Sequence, residues 1–235
     1  MHNAQRAKAA HKLTYGATTR QACTAGAGQH RAVAAMKQSN KLFNTKHNTM
    51  VYEFLATGFE EVEALVPVDV LRRGGVEIKT VSMTGNLLVE SSHGVKIMAD
   101  VLFEDIDPNS ADLLLLPGGM PGATNLNEHE GLRKALLAQN ERGARIGAIC
   151  AAPLVLGGLG LLNGRKATCY PGFEKYLTGA TYTAELCTVD GNITTGRGPA
   201  AVLPYSYSLL EQFVGAEATK QVRDGMIYTQ LMESK

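Results

Sequence analysis

Hydrophobic and polar positions divide this chain of 235 residues into two regions. Up to residue 49 the apolar positions show no period, whereas from Met50 onward short apolar runs alternate with segments of helical period. The pattern predicts strands over 51–56, 76–83, 113–116, 145–149, 167–169, 182–189 and 193–195, and a hairpin over 86–98 that is interrupted at His93 and Gly94. It predicts helices over 60–73, 130–142, 200–214 and 216–232, and a further helix that begins at Pro153.

Strands that alternate with helices indicate an α/β fold, in which a mostly parallel sheet carries helices on both faces. The run of four leucines over 113–116 is typical of a central strand that is buried on both sides. In such sheets the chemistry lies outside the carboxyl ends of the strands. Candidate functional residues are therefore sought where strands end.

The segment 1–49 differs from the rest of the chain in charge as well as in pattern. It contains eight Lys and Arg and no Asp or Glu, whereas 50–235 contain fifteen Lys and Arg against twenty-two Asp and Glu. Without apolar periodicity the segment is expected to be disordered and dispensable, so we place the domain at 50–235. Three interpretations stay open: an organellar transit peptide, a basic tail for anionic partners, or a start codon assigned upstream of Met50.

Composition narrows the function classes. Hydrophobic residues make up 45% of the chain, yet no apolar run approaches the roughly 18 residues of a membrane span. An acidic domain without a basic and aromatic patch argues against nucleic-acid binding. The four cysteines lack metal-ligand spacing and are too few for a disulfide scaffold, which favours a reducing, cytoplasmic location and predicts no metal.

Cys150 is the strongest candidate for chemistry. It lies where the strand over 145–149 gives way to the helix at Pro153, and such a strand-to-helix elbow exposes a nucleophile on a strained backbone. Ala148 and Ala152 occupy the two positions that are glycine in the G-x-S-x-G elbow of hydrolases. A helix N-terminus stabilises the thiolate and is expected to lower the pKa of the thiol. The alternative is a small buried core cysteine.

Glu63 is the second candidate. It lies in a predicted helix whose positions from 62 to 71 are apolar except for Glu63 and Asp69, and it shares a face with Val66, Pro67 and Val70. A carboxyl in such surroundings has a raised pKa, and when protonated it can donate a hydrogen bond to a thiolate. The alternative is an acid of the first helical turn that is favoured by the helix dipole.

Gly118 and Gly119 follow the strand over 113–116 within Leu-Pro-Gly-Gly-Met-Pro-Gly. Paired glycines let the backbone approach a ligand and direct N–H groups toward it, as an oxyanion hole requires. The alternative is an ordinary turn.

Five segments together resemble the DJ-1/ThiJ/PfpI superfamily, in its DJ-1-like branch, from about Met50 to the C-terminus. They cover 57–63, 67–73, 116–119, 148–153 and 196–199. The resemblance implies a flavodoxin-like three-layer sandwich and a homodimer with the cysteine near the subunit interface. It implies that Cys150 is the nucleophile or oxidation site and Glu63 its hydrogen-bonding partner. It further implies that the amides of Gly119 and Ala151 form the oxyanion pocket.

Two departures limit what the resemblance carries over. Relatives that act as peptidases or amidotransferases use a histidine base, often directly after the cysteine, where this chain has Ala151. Tyr170 stands where many DJ-1-like members have a pocket histidine. His93 lies at the hairpin position where the family often has a cationic pocket residue, and His129 lies in a polar segment; for both, a surface histidine is the alternative. Peptidase and amidotransferase activities are therefore not expected.

Two functions remain. By its resemblance the chain is expected to be a cofactor-independent enzyme that acts on a small reactive carbonyl or a glycated substrate, as a glutathione-independent glyoxalase or deglycase. The other function is that of a redox-sensing stress protein or chaperone in which Cys150 is oxidised. The sequence leaves both open, because each needs the same reactive thiol.

Overall fold

The computed structural model describes residues 49–234. The prediction for the segment 1–49 therefore lies outside the described residues, except at residue 49, and stays a prediction. Eleven strands are described: β1 (Met50–Leu55), β2 (Glu77–Ser82), β3 (Leu88–Glu90), β4 (Lys96–Met98), β5 (Val101–Leu102), β6 (Leu113–Leu116), β7 (Arg145–Ile149), β8 (Lys166–Ala167), β9 (Thr181–Tyr182), β10 (Cys187–Asp190) and β11 (Ile193–Gly196). The described α-helices are α1 (Glu61–Arg73), α2 (Gly122–Glu128), α3 (Glu130–Glu141), α4 (Pro153–Gly158), α5 (Val202–Gly225) and α6 (Tyr228–Glu233).

Seven strands form the main sheet, in the order β10-β11-β7-β6-β1-β2-β5. Neighbouring strands are parallel except for β10 and β11 at one edge, which are antiparallel. The chain passes from β1 to β2 on one side and returns to β6 on the other, so the strand order reverses between β1 and β6. Open α/β sheets bind ligands at such a switch point.

Helices cover both faces of this sheet, which confirms the three-layer α/β fold. Helices α1 and α5 pack on one face, over Val51, Leu113 and Leu115. Helices α2, α3 and α4 pack on the other, over Phe54, Leu114 and Leu116. The leucines of β6 therefore alternate between the two cores, as a strand buried on both sides requires. Each leucine buried in this way contributes about 1.5–3 kcal/mol relative to an exposed one.

Local sequence accounts for the ends of the helices near the carboxyl edge. At the start of α1 the Glu60 side chain accepts a hydrogen bond from the N–H of Glu63 at 2.7 Å, which caps the helix. At the start of α4 Pro153 occupies the first turn, where its missing N–H is not needed. Within α5 the backbone of Gly215 leaves the helical region at φ 78°, so the two predicted C-terminal helices meet there.

Three short elements differ from the prediction. The strand predicted over 182–189 is wrong: β9 and β10 lie in different sheets, separated near Ala184, which has a left-handed φ of 57°. The strand predicted over 167–169 is confined to β8, which pairs with β9 in a separate small sheet. Helix α2 was not predicted, because the Pro-Gly-rich sequence before it is typical of a loop.

Over the residues that the structure describes, no helix combines the length and the apolar character that a bilayer crossing needs.

Candidate active site

The site lies where three neighbouring parallel strands end. Strands β7, β6 and β1 are adjacent in the sheet. Cys150 follows β7, Gly118 and Gly119 follow β6, and the loop that leads to Glu63 follows β1. Because parallel strands end at the same edge, the sheet brings together residues that are up to 87 positions apart in the chain.

Cys150 has the strained backbone that its sequence predicts. Its φ is 64°, in the left-handed region that non-glycine residues rarely adopt. Hydrogen bonds on both sides hold this conformation: the Cys150 N–H donates to the Gly196 carbonyl at 2.9 Å, and the Tyr170 N–H donates to the Cys150 carbonyl at 2.9 Å. Strain that is maintained by surrounding contacts is common at functional sites. Cys150 itself is 8% exposed, so its sulfur is close to the surface but largely enclosed.

Glu63 is fully buried in the first turn of α1, as its apolar surroundings predict. Its carboxyl group forms a hydrogen bond with the Cys150 thiol. The Gly118 N–H donates to its Oε2 at 2.9 Å, whereas its Oε1 has no hydrogen-bond partner among the described residues. The fold thus places the Glu63 carboxyl group next to the Cys150 thiol.

Gly118 and Gly119 are required by close packing. A Cβ at Gly118 would lie 2.6 Å from the Cβ of Cys150 and 2.6 Å from Oε2 of Glu63, which is too close for either. Gly119 has a φ of 85°, and a Cβ there would lie 2.4 Å from the backbone nitrogen of Glu60. The glycine pair therefore lets the loop after β6 touch both catalytic candidates.

The pKa of Glu63 is raised to about 7. Burial is the main cause, because it penalises the charged carboxylate. The charge of Glu60 raises the pKa further, while the hydrogen bonds with Cys150 and Gly118 act in the opposite direction. Glu63 can therefore hold or release a proton near neutral pH, which is the range that suits a general acid or base.

The pKa of Cys150 is also raised, which corrects the expectation that the helix terminus lowers it. Burial is the largest cause, followed by the charge that Glu63 carries when it is ionised and by the hydrogen bond to it. The N–H groups of Gly119 and Ala151 hydrogen-bond to the sulfur and lower the pKa, but they do not outweigh burial. Helix α4 has only six residues, and its terminus does not offset this desolvation.

These two shifts belong to one coupled pair. Either group alone ionises with difficulty when its neighbour is already charged, so across neutral pH the pair loses one proton and keeps the other. Among the groups that shift either pKa, none is a cation. The remaining proton can therefore be exchanged between the sulfur and the carboxylate without help from a histidine or lysine.

The two other predicted pocket residues lie at different distances from this pair. Tyr170 donates its N–H to the Cys150 carbonyl, and the residue is 46% exposed. His93 lies on the loop between β3 and β4, where its Nδ1 is 3.0 Å from Oε1 of Glu61. Among the described residues, no hydrogen bond or ion pair links His93 to Cys150.

Two buried polar residues beneath the site were not singled out from the sequence. Glu53 in β1 is 1% exposed, and burial raises its pKa well above the usual range. Glu53, Leu115 and Gly147 lie side by side on the neighbouring strands β1, β6 and β7. The Tyr205 hydroxyl packs against Gly147, because a Cβ added there would lie 2.5 Å from it. Neither Oε2 of Glu53 nor the Tyr205 hydroxyl has a hydrogen-bond partner among the described residues. A charged residue in the centre of an apolar strand was the available signal.

One group of side chains has the spacing of metal ligands within the described part of the chain. Ligand atoms of Glu60, Glu61 and His93 lie within 4.8 Å of one another. Glu60 already caps α1 and Glu61 already pairs with His93. Because the helix N-terminus also disfavours a cation, we assign no metal to this group.

Comparison with known proteins identifies similar chains. The DJ-1/PfpI family profile matches residues 49–212. Protein DJ-1 homolog B from Arabidopsis thaliana is 41% identical over 175 residues, which are 74% of this chain but only 40% of that protein. The Glutathione-independent glyoxalase DJR-1.2 from Caenorhabditis elegans is 30% identical over 165 residues, which are 69% of this chain and 87% of that protein.

Solved structures show the same fold. The structure of oxidized DJ-1 from Toxoplasma gondii is 32% identical in sequence and superimposes with a TM-score of 0.73. The match covers 76% of this chain and 98% of that one.

Proposed function

Because this chain belongs to the DJ-1/PfpI family, we propose that it is a cofactor-independent enzyme that converts reactive α-oxoaldehydes such as methylglyoxal into hydroxy acids. The observation that carries the proposal is the hydrogen-bonded pair of Cys150 and buried Glu63, whose carboxyl has a pKa of about 7. The similarity to a protein named as a glutathione-independent glyoxalase supports the same reaction. Action on glycated substrates would use the same first step.

In the proposed resting state the single negative charge lies on sulfur and Glu63 holds the proton. The sulfur has two N–H donors, from Gly119 and Ala151, and belongs to a residue that is 8% exposed. The carboxylate would have one N–H donor, from Gly118, and one oxygen without a partner in a fully buried position. Since a charge that includes a buried oxygen without a partner is costly, the thiolate is the better place for it.

The reaction begins when the thiolate attacks the aldehyde carbon. A carbon–sulfur bond forms, the carbonyl π electrons move to oxygen, and Glu63 gives its proton to that oxygen to form a hemithioacetal. The N–H groups of Gly119 and Ala151 are positioned beside the sulfur, where they can stabilise the developing oxyanion.

Glu63, now a carboxylate, then transfers protons within the intermediate. It takes the proton from the former aldehyde carbon and gives it to the ketone oxygen, which forms an enediol. It next takes the proton from the first oxygen and gives it to the second carbon, which produces a thioester. One carbon is oxidised and its neighbour is reduced, so no external oxidant or reductant is needed.

Water completes the cycle. Glu63 takes a proton from water while the hydroxide attacks the thioester, and the carbon–sulfur bond breaks to release the hydroxy acid. Cys150 returns as thiolate and Glu63 as acid. The net reaction adds one water to the α-oxoaldehyde.

Steady-state turnover of methylglyoxal tests this proposal directly. The purified protein should consume methylglyoxal and form lactate without added glutathione or metal, and Cys150→Ser should be inactive. Cys187→Ser is a suitable control, because Cys187 lies on edge strand β10 and is absent from the site. Turnover by Cys150→Ser equal to that of the wild type would rule the proposal out.

A redox-sensing role is the second candidate, and the similarity to a structure described as oxidized DJ-1 favours considering it. Here each of two peroxide molecules would give one oxygen to the sulfur and leave as water, so that Cys150 becomes a sulfinate. Mass spectrometry after mild peroxide treatment should then show a gain of two oxygens on Cys150 alone. Rapid oxidation without methylglyoxal turnover would favour this role over the enzymatic one.

We also propose that the chain forms a homodimer. Large apolar side chains are exposed on α1 (Val62, Leu65) and on the β3–β4 hairpin (Leu88, Met98), and surfaces of this kind commonly mark contacts between proteins. Light scattering coupled to size exclusion measures the mass in solution directly, and a monomer at micromolar concentration would contradict the proposal.

A further inference from the structure

A cleft of about 170 Å³ opens beside the Cys150 loop. Its walls are mostly apolar and come from three chain segments, and they include Tyr170 and Pro171, Leu186, and Arg197, Pro199 and Ala200. We call it the Tyr170–Leu186 cleft. A larger groove of about 410 Å³ lies near Tyr207 and Arg223, but it shares no residue with the Cys150 site.

Two of the three segments that form the cleft are bonded to the backbone of Cys150. Tyr170, in one of them, donates its N–H to the Cys150 carbonyl at 2.9 Å. Gly196, which directly precedes Arg197 of the other, accepts the Cys150 N–H at 2.9 Å. These two segments also meet each other, because a Cβ at Gly198 would lie 3.1 Å from the Tyr170 ring. The cleft is therefore fixed in position relative to the backbone of Cys150.

The rim of the cleft is unusually apolar for an exposed surface. Leu186 is 58% exposed and Tyr170 is 46% exposed, although burial of either would be favourable. Exposed apolar groups that surround a concave surface are typical of ligand sites.

The size of the cleft indicates what it can hold. A cavity of about 150 Å³ lined by apolar side chains accommodates a benzene ring in another protein, so a cleft of this volume suits one aromatic ring. The methyl group of methylglyoxal would leave most of it empty. The guanidinium of Arg197 adds a cation that can interact with the face of an aromatic ring.

We propose that the Tyr170–Leu186 cleft binds the substituent of the substrate carbonyl, and that the enzyme prefers α-oxoaldehydes with an aromatic substituent over methylglyoxal. This inference rests on the proposed function of Cys150. Leu186 and Tyr170 are then the residues that determine specificity, while the Cys150–Glu63 pair performs the same reaction on either substrate.

Competition between two substrates tests the preference. The ratio of kcat/KM for phenylglyoxal to kcat/KM for methylglyoxal should exceed one in the wild type. Leu186→Ala removes one wall of the cleft and should lower this ratio about tenfold, the effect of one or two lost apolar contacts. Leu137→Ala, at a similarly exposed leucine on α3, should leave the ratio unchanged. An unchanged ratio in Leu186→Ala would overturn the inference.

Alkylation separates this inference from the proposed function, because it needs the Cys150 thiolate but no turnover. In this reaction a carbon–sulfur bond forms as chloride leaves. The rate constant for 2-chloroacetophenone relative to that for chloroacetone should be higher for Cys150 than for free cysteine, and Leu186→Ala should reduce the difference. If alkylation shows the aromatic preference but no aldehyde is turned over, the proposal for the cleft stands and the proposed enzymatic function is wrong. If aldehydes are turned over without any aromatic preference, the proposed enzymatic function stands and the proposal for the cleft is wrong.

Discussion

Two carboxyl groups in the first turn of α1 have opposite environments. Glu61 faces the β3–β4 hairpin, where it accepts hydrogen bonds from its own backbone N–H, His93 and Ser91, and its pKa is lowered even though partial burial acts against this. Glu63, two residues later, faces Cys150 in the interior, and burial raises its pKa to about 7. Both groups lie at the positive end of the same helix dipole.

This difference shows that the helix dipole does not decide the charge of either group. The dipole acts on both carboxyls in the same direction, and its effect is typically 0.3–1 kcal/mol at exposed positions. Desolvation at a fully buried site is larger, and only a partner that supplies charge or several donors reverses it. Glu61 has such a partner in His93, whereas Glu63 has a thiol. The same residue type is therefore a structural ion-pair member at one position and, in the proposed mechanism, a proton carrier at the other.

The largest effect should come from removal of each carboxyl in turn. Glu63→Leu should lower kcat/KM for methylglyoxal by about 10²- to 10⁴-fold, the range that general acid–base catalysis contributes. Glu61→Leu, on the same turn of α1, should lower it far less, because Glu61 has no contact with Cys150. Similar losses in both variants, measured by steady-state kinetics, would show that the contrast between the two carboxyls has no catalytic meaning.

The dependence of stability on pH should differ in sign between the two positions. In the unfolded chain Glu63 ionises near 4.5, whereas in the folded chain the Cys150–Glu63 pair loses its first proton only near 7. The folded state therefore binds more protons in this interval, so the stability that Glu63 contributes is complete below pH 4.5 and is lost as the pH rises to 7. The interval corresponds to about 3 kcal/mol.

When the free energy of unfolding is measured with urea between pH 4 and 8, Glu63→Gln should remove the decrease with pH that Glu63 causes. A smaller slope of the same sign should remain, because the raised pKa of buried Glu53 acts in the same direction. Glu61→Gln should behave in the opposite way: the lowered pKa of Glu61 stabilises the fold above its unfolded pKa, so the variant should lose stability at pH 7 and little at pH 3. Parallel profiles for both variants would contradict the assignment.

Gly118→Ala tests whether close approach holds the pair together. The added Cβ would lie 2.6 Å from atoms of both Cys150 and Glu63, so the two groups must separate. We expect a loss of about 1–3 kcal/mol of stability, as for other overpacked positions, together with reduced turnover. Gly225→Ala is the matched control, because a Cβ there meets nothing within 4 Å. Equal thermal unfolding of the two variants would show that the loop after β6 has room to move.

The smallest effect concerns His93. The hydrogen bond and the charge of Glu61 raise the pKa of His93, so the imidazole should titrate at higher pH than a free histidine in NMR spectra. Glu61→Gln should lower the pKa of His93. Glu63→Gln should leave that pKa unchanged, because Glu63 has no contact with His93. A shift of equal size in Glu63→Gln would mean that the two carboxyls are not independent.

The sequence predicted the main sheet and the long helices because their periodicity is strong. The four leucines of β6, for example, alternate between two buried faces, and few other structures explain such a run. The positions of Cys150 and Glu63 followed from strand ends and from one polar residue on an apolar helical face. Both features depend on local pattern, which a single sequence contains.

Other parts depend on contacts that no local pattern contains. The direction of the Cys150 pKa shift results from burial against Glu63, from a different part of the chain, and the helix terminus alone suggested the opposite. Likewise, residues 182–189 read as one strand, but the left-handed backbone at Ala184 divides it. The Tyr170–Leu186 cleft joins three segments that are separated in sequence, so only the structure reveals it.

The central claim, that Glu63 holds the proton and Cys150 the charge, is tested most directly by thiolate absorbance near 240 nm as a function of pH. The titration is compared for the wild type, Glu63→Gln and Glu63→Leu, with Cys150→Ser as the blank. If Glu63 donates to the thiolate, Glu63→Gln keeps a weaker donor and should raise the pKa of Cys150 modestly, and Glu63→Leu should raise it further. If Glu63 is instead a carboxylate whose charge opposes ionisation of the thiol, both substitutions should lower that pKa. A fall in the Cys150 pKa in Glu63→Gln would contradict the account.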